Sequence, residues 1–316
     1  MVDISFVIPC YRSEKTIGNV VSEIDATMLE RSDLTYEIIL VNDCSPDGVW
    51  GVLSDLAKNN ERITAINLAK NFGQHCALMA GYSQTQGEIV VSLDDDGQTP
   101  ASDVFKLIDA LDDNTDVVYA SYIENHQNLF RRLGSDFAQS VNKVMLGIKE
   151  DLPKGSSFFV MKRYVVDEIL KYKHAYPFIF GLVLRATRKV VMVKVEHRDR
   201  LSGRSGYSLR KLISLWLNGF TSFSVLPLEF GTYIGFIFAT VGFIVAIVTI
   251  INKLVNPSVQ AGWSSIFSAI LIVGGIIMIM LGLIGEYIGR IYICINNAPQ
   301  YVIRDIVSKG KTDDCN

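Results

Sequence analysis

The sequence lacks charge over two long stretches where a water-facing chain would carry it. Between Phe230 and Asn252 there is no Asp, Glu, Lys or Arg, and after Lys253 none returns until Glu286. The first stretch, centred on Gly235 to Ile251, and the second, Ser264 to Ile284, each match the roughly 20 apolar residues that a membrane-spanning helix requires. A basic, apolar N-terminal leader is also missing: Met1-Val2-Asp3 runs straight into a short apolar strand, so no secretory signal is expected. Cysteine is sparse, with Cys10, Cys44, Cys76, Cys294 and Cys315 odd in number and without metal-ligand spacing, and these read as reduced thiols. The formal net charge of −3 gives no basic excess, so no nucleic-acid partner is expected. Internal repeats and low-complexity tracts are absent.

What is present begins with the layout of those apolar stretches. The short, turn-rich linker from Lys253 to Trp263 makes them a hairpin of two spans. Arg204, Arg210 and Lys211 precede the hairpin and Arg290, Arg304, Lys309 and Lys311 follow it, whereas the connecting loop holds only Lys253. The positive-inside asymmetry then places both termini in the cytoplasm. Leu209 to Val225 alternates basic and apolar residues, with Trp216 and Phe220 available to the interface, and reads as an amphipathic helix on the membrane surface. The expected organisation is a cytoplasmic domain over 1–205, an interface segment over 206–229, the hairpin over 230–290 and a cytoplasmic tail over 291–316. Gly274, Gly275 and Gly282 would let helices pack closely, which favours a homo-oligomer.

Ahead of the hairpin, short β-rich runs alternate with helical patterns. Ile4–Ile8, Tyr36–Asn42, Ile63–Asn67, Ile89–Leu93, Val117–Ser121, Ser157–Met161 and Val190–Glu196 read as strands. Helices are expected over Glu14–Arg31, Gly48–Asn59, Gln74–Thr85, Ser102–Asp112, Phe130–Gly147, Tyr164–Tyr172 and Phe178–Thr187. The alternation predicts an α/β fold with a mostly parallel sheet, whose ligands bind outside the carboxyl ends of the strands. The loops Pro9–Glu14, Asn42–Asp47 and the one after the fourth strand would share that edge.

The last of these loops holds three consecutive aspartates, Asp94, Asp95 and Asp96, followed by Gln98. Side chains alternate along a strand, so Asp94 and Asp96 project one way and Asp95 the other. Carboxylates that close repel unless a cation joins them, and a hard divalent ion takes one or two carboxylates and completes its shell with phosphates and water. An isolated acidic turn would be merely solvated surface; convergence with two other polar loops favours a metal-assisted site for a diphosphate-bearing substrate.

Val7-Ile8-Pro9-Cys10-Tyr11, Val41-Asn42-Asp43-Cys44-Ser45-Pro46-Asp47-Gly48 and Asp94-Asp95-Asp96-Gly97-Gln98 resemble the inverting family 2 glycosyltransferases of GT-A fold. Asn71-Phe72-Gly73-Gln74-His75, Phe130-Arg131-Arg132, Ser202 to Ser208 and Gly282 to Tyr292 are similar to the polyprenyl-phosphate subgroup of that family. The resemblance implies that Pro9 and Tyr11 border the nucleobase, with Glu14 nearby, and that Asp43 binds base or ribose. It implies that Asp94, Asp96 and Gln98 hold Mg2+ or Mn2+ on the donor diphosphate, and that Asp95 lies against ribose or sugar. Arg131, a candidate catalytic residue with Asp94 and Asp96, would meet the acceptor phosphate together with Arg132, Arg198, Arg200 and Arg204. Two positions depart from the family pattern. Tyr11-Arg12-Ser13 replaces the usual Tyr-Asn-Glu, putting Glu14 one place late, and Gly206 stands where a Lys is usual, leaving Arg204 or Arg200 to supply that charge.

The implied partners are a nucleotide-sugar donor, UDP-linked on family grounds, and undecaprenyl phosphate, at the inner membrane with the catalytic domain cytoplasmic. A hydroxyl acceptor would call for a general base, and the resemblance implies a Glu-Asp pair before the last core helix in relatives of that kind, yet the corresponding stretch Ala175 to Leu182 contains no acid. A phosphate monoester is already largely dianionic at neutral pH, and needs cations to position it more than a base to activate it. Guanidinium forks suit that duty. The competing readings are a membrane glycosyltransferase acting on a lipid or glycan hydroxyl, and a non-catalytic membrane scaffold.

Overall fold

A computed structural model describes residues 2–122, 156–195, 262–295, 299–309 and 311–314, with scattered positions between 233 and 255. The chain forms two compact units, residues 1–209 with 297–316 and residues 210–296. The first unit contains β1 (Ile4–Cys10), α1 (Ile17–Met28), β2 (Tyr36–Asn42), α2 (Val49–Asn59), β3 (Ile63–Leu68), α3 (Gln74–Tyr82), β4 (Ile89–Ser92) and α4 (Val104–Ile108). It continues with β5 (Val117–Tyr122), β6 (Phe159–Lys162), α5 (Arg163–Leu170), α6 (Ile179–Ala186) and β7 (Val190–Val195). After the second unit come β8 (Ile303–Ser308) and β9 (Lys311–Asp314).

The nine strands among the described residues join one sheet in the order β7-β5-β6-β4-β1-β2-β3-β8-β9. The central strands β4, β1, β2 and β3 run parallel, as does the β5–β7 pair. The pairings β3–β8, β4–β6, β5–β6 and β8–β9 are antiparallel. The sheet is therefore mixed, not mostly parallel as the alternation suggested. The reversal comes from β6, which enters between β4 and β5, and from the chain end. The C-terminal segment, expected as a tail, adds two edge strands to β3, a pairing for which the local residue pattern offers no cue.

Both faces of the central strands are covered, which accounts for their continuous apolar runs. Ile4, Phe6, Ile8 and Cys10 of β1 join α1 and α2 in the main core. Val7 points the opposite way, toward α3, where a Cβ on Gly81 would come within 2.3 Å of its Cγ1. Only a residue without a side chain lets α3 lie that close to β1.

The second unit contains α7 (Trp263–Ile295). Among the residues whose side chains are described, no helix is long and apolar enough to cross a membrane. The α7 backbone nevertheless continues for 33 residues, about 50 Å at 1.5 Å per residue, and its sequence carries no charge before Glu286. Ile270, Val273, Ile277, Met278, Leu281 and Ile284 are 40–70% exposed along it. Among the described residues, a Cβ at Gly274, Gly275 or Gly282 would meet nothing within 4 Å. The expected helices over Phe130–Gly147 and Leu209–Val225 lie outside the described residues, as do Arg131, Arg132, Arg198, Arg200 and Arg204.

Candidate active site

Strands β4, β1 and β2 are parallel neighbours, so the loops that leave their carboxyl ends meet at one edge of the sheet. Those loops are the three singled out in the sequence. Asp95 joins two of them: its Oδ2 accepts the Tyr11 N–H at 2.9 Å, and its main-chain oxygen accepts the Thr16 hydroxyl at 2.7 Å. Burial raises its carboxyl pKa above the usual range, against the lowering effect of its hydrogen-bond donors. Tyr11 itself is 44% exposed, with the Arg12 guanidinium 5.5 Å from its ring centroid.

The second joint is Ser45. Its hydroxyl accepts the Arg12 N–H at 2.8 Å and donates to Asp47 at 2.5 Å. Arg12 and Cys44 both have positive φ, 61° and 47°. Left-handed backbone at non-glycine residues costs about 1–3 kcal/mol and persists where surroundings enforce it. Here the enforcing contacts are hydrogen bonds between the two loops. Glu14, displaced by one position from the family pattern, ties the same loops from the other end, accepting the Gly48 N–H at 3.1 Å where α2 begins. Pro9 lies in β1 opposite Val41.

Asp43 holds a fourth loop, the one after β3. Only 4% exposed, it accepts the N–H groups of Phe72 and Gly73 at 2.7 and 2.9 Å, one on each carboxylate oxygen. Burial outweighs those two bonds and raises its pKa. Gly73, at φ 90°, makes the turn into α3. On α3, His75 stacks edge-on against Phe178 at 5.6 Å, and its Nδ1 is shut off from solvent with no hydrogen-bond partner among the described residues. Burial lowers its pKa to about 4, so it is neutral at physiological pH.

Asp94 receives Gln74 Nε2 on Oδ1 at 3.1 Å and the Ser157 hydroxyl on Oδ2. Asp96 turns back on its own loop, where its Oδ1 accepts the Gln98 N–H at 3.0 Å. Sequence reasoning missed Gln74 and Ser157 as supports of Asp94. Gln74 stood in a noted motif without a role, and Ser157 carried no local signal at all. Among the described residues no group of three or more His, Cys, Asp or Glu could hold a metal. The donor set fits a hard divalent ion only as two carboxylates whose remaining positions go to phosphate and water.

Hydrogen-bonded loops at the carboxyl ends of β1 and β2, with the aspartate loop after β4 beside them, are the arrangement of a GT-A-like α/β domain. The chain belongs to glycosyl transferase family 2, whose profile matches residues 5–170, and the GtrB C-terminal hairpin profile matches residues 226–291. It is 31% identical to an uncharacterized glycosyltransferase of Bacillus subtilis, over 95% of this chain and 93% of that one. It is also 31% identical to the undecaprenyl-phosphate 4-deoxy-4-formamido-L-arabinose transferase of Photorhabdus laumondii, over 98% of this chain and 96% of that one. The glucosyl-3-phosphoglycerate synthase of Mycobacterium tuberculosis, solved with Mn2+ and UDP-glucose, shares the fold at TM-score 0.50 and 17% identity, over 68% of this chain and 76% of that one.

Proposed function

We propose that the chain moves one sugar from a nucleoside-diphosphate donor, a UDP-sugar first, to the phosphate of a polyprenyl phosphate, inverting the anomeric carbon. The observation that carries this reading is the aspartate pair at the end of β4, beside the β1 and β2 loops, in a chain that continues into an apolar hairpin. The near-full-length likeness to an undecaprenyl-phosphate sugar transferase supports the acceptor.

Tyr11 and the Asp43 loop would border the nucleoside, and Asp94 and Asp96, with Gln98, would hold Mg2+ or Mn2+ on the diphosphate. That ion would supply Lewis-acid neutralisation of the departing phosphates. Gln74 and Ser157 keep the Asp94 carboxylate aimed, and Asp95 keeps the Tyr11 loop closed on the aspartates. Arg131, Arg132, Arg198, Arg200 and Arg204 would fix the acceptor phosphate, which attacks without a protein base because it is already anionic.

For placement, β1 and β8 belong to one sheet, so residues 210–296 leave and rejoin the same unit. A chain that does so crosses a bilayer an even number of times, which suits two spans with both termini on one side, the cytoplasmic side of the inner membrane by the placement of the basic residues. The exposed apolar side chains of α7 suit lipid contact, and its open glycines would suit pairing with a second copy.

The test is incubation of the purified full chain with undecaprenyl phosphate and a panel of nucleotide sugars, with and without chelator, reading lipid products by mass and anomeric configuration by NMR. Formation of a single lipid-phosphate glycoside that disappears with EDTA and returns with Mn2+ is expected. Turnover undiminished by chelator removes the metal role, and product on a hydroxyl acceptor alone removes the phosphate acceptor.

A further inference from the structure

We propose that Asp305, on the C-terminal strand β8, is a positioning residue for donor binding, acting through Asn67 and Asn42 on the loop that follows β2. This rests on the donor site assigned above.

Three polar side chains form one line across β8, β3 and β2. Asp305 Oδ2 accepts Asn67 Nδ2 at 2.7 Å, Asn67 Oδ1 accepts Asn42 Nδ2 at 2.8 Å, and Asn42 Oδ1 accepts the Ser45 N–H at 3.0 Å. Asn42 and Asn67 are 3% and 4% exposed, while the Asp305 side chain is 29% exposed and also accepts from Arg304 Nε at 3.0 Å. An amide side chain can present either its oxygen or its nitrogen, and two buried amides in series have two self-consistent orientations. A carboxylate can only accept. Asp305 therefore forces the Asn67 amino group toward itself, which turns the Asn67 oxygen to Asn42 and the Asn42 oxygen to Ser45.

The reversed arrangement would aim an amino group at the Ser45 N–H, two donors face to face. Ser45 is the residue that joins left-handed Arg12 to the turn containing left-handed Cys44. A polarity set at Asp305, 238 residues from Asn67 in sequence, thus helps decide whether the two donor loops keep their strained backbone. The same line makes the donor loops depend on the strand that the chain forms after the second unit.

The experiment compares Asp305→Asn, Asn67→Asp and the double variant Asn67→Asp/Asp305→Asn in the full-length protein. In Asp305→Asn the obligate acceptor at the β8 end is lost, and only the Ser45 N–H still holds the order of the two amides. The apparent KM for the donor should rise about tenfold, the equivalent of about 1.4 kcal/mol and of one hydrogen bond to a charged group, with kcat within about twofold. In Asn67→Asp two carboxylates face each other, and donor KM should rise at least as far. In the double variant the carboxylate has moved to position 67, where it accepts from Asn42 on one side and from the new amide at position 305 on the other. The Asn42 oxygen again faces Ser45, and donor KM should return toward wild type. A merely structural role for the strand predicts no such rescue, since the double variant then combines two defects.

Amide hydrogen exchange at Arg12 and Ser45 supplies a readout independent of turnover. It should speed up in each single variant and recover in the double, while β1 and β2 core amides stay protected. Recovery of exchange in a protein that uses no donor leaves the ordering of the two loops by Asp305 standing and overturns the assigned reaction. Loss of donor affinity in the double variant equal to the sum of the singles, with exchange at Arg12 and Ser45 unmoved throughout, overturns the positioning role.

Discussion

The close approach of α3 to the sheet makes Gly81→Ala a severe test of the packing that supports the site. An added Cβ would be 2.3 Å from Val7 Cγ1 and 3.2 Å from Val41 Cγ2. Carbon contacts prefer about 3.5–4.0 Å, so the first contact is short by about 1.2 Å or more. Val7 is fully buried, and its branched side chain has few rotamers to escape into. The helix would have to lift from the sheet. Overpacking of this kind costs about 1–3 kcal/mol, and the better helix propensity of alanine returns at most about 1 kcal/mol. Gly81 is the penultimate residue of α3, which reduces that return. The net expectation is a loss of about 2 kcal/mol.

Val7→Ala removes the clashing methyl and alone costs about 2 kcal/mol of burial. In the double variant the overlap has gone, so the two losses should fall short of their sum by about 2 kcal/mol. Urea unfolding in detergent, followed by Trp50 fluorescence with Trp216 and Trp263 replaced by Phe, reports on the sheet-bearing unit. A Gly81→Ala protein more stable than wild type, with losses that simply add, refutes the reasoning, because propensity would then outweigh contact. The outcome also bears on the site, since Gln74 at the other end of α3 reaches Asp94.

Asp43→Asn should destabilise the same unit by about 2 kcal/mol, since an amide can accept only one of the Phe72 and Gly73 N–H groups, while loss of a buried charge offsets part of the cost. Faster amide exchange at Phe72 and Gly73 is the check, and unchanged exchange counts against the staple. His75 titrates with the opposite consequence to a paired group. Its folded pKa of about 4 lies below the ordinary 6.5, so the unfolded chain takes up the proton first and stability falls as pH drops through that window, by at most about 3 kcal/mol. His75→Phe should remove that slope, measured as the difference between the two proteins' unfolding free energies across the window. Asp96→Asn should cut sugar transfer by about a thousandfold, as expected when Lewis-acid stabilisation worth several kcal/mol is lost. Mn2+ should restore chelated wild type but not this variant, with the Trp50 unfolding midpoint nearly unchanged; full restoration excludes Asp96 as a ligand.

Local chemistry by itself determined much of this protein. Buried parallel strands need continuous apolar runs and their helices need periodic ones, so the β1–α1–β2–α2–β3–α3–β4 order was legible, down to the bounds of β2 at Tyr36 and Asn42. The charge-free stretches are equally local, because an apolar span shows itself residue by residue. The aspartate loop and its two companions were legible too, since parallel strands place such loops on one edge. Tertiary structure alone decided what lies beside what. In Ile303–Ser308 only Val307 is buried, so the strand shows no clear pattern until β3 offers its edge. Ser157 reaches Asp94 across 63 residues and Asp305 reaches Asn67 across 238. Such contacts arise when the chain closes on itself, and a hydrogen bond between distant residues leaves no periodicity in either segment. The polarity of the Asn42–Asn67–Asp305 line is of that kind: three ordinary polar residues, whose order of donating and accepting exists only once the sheet has formed.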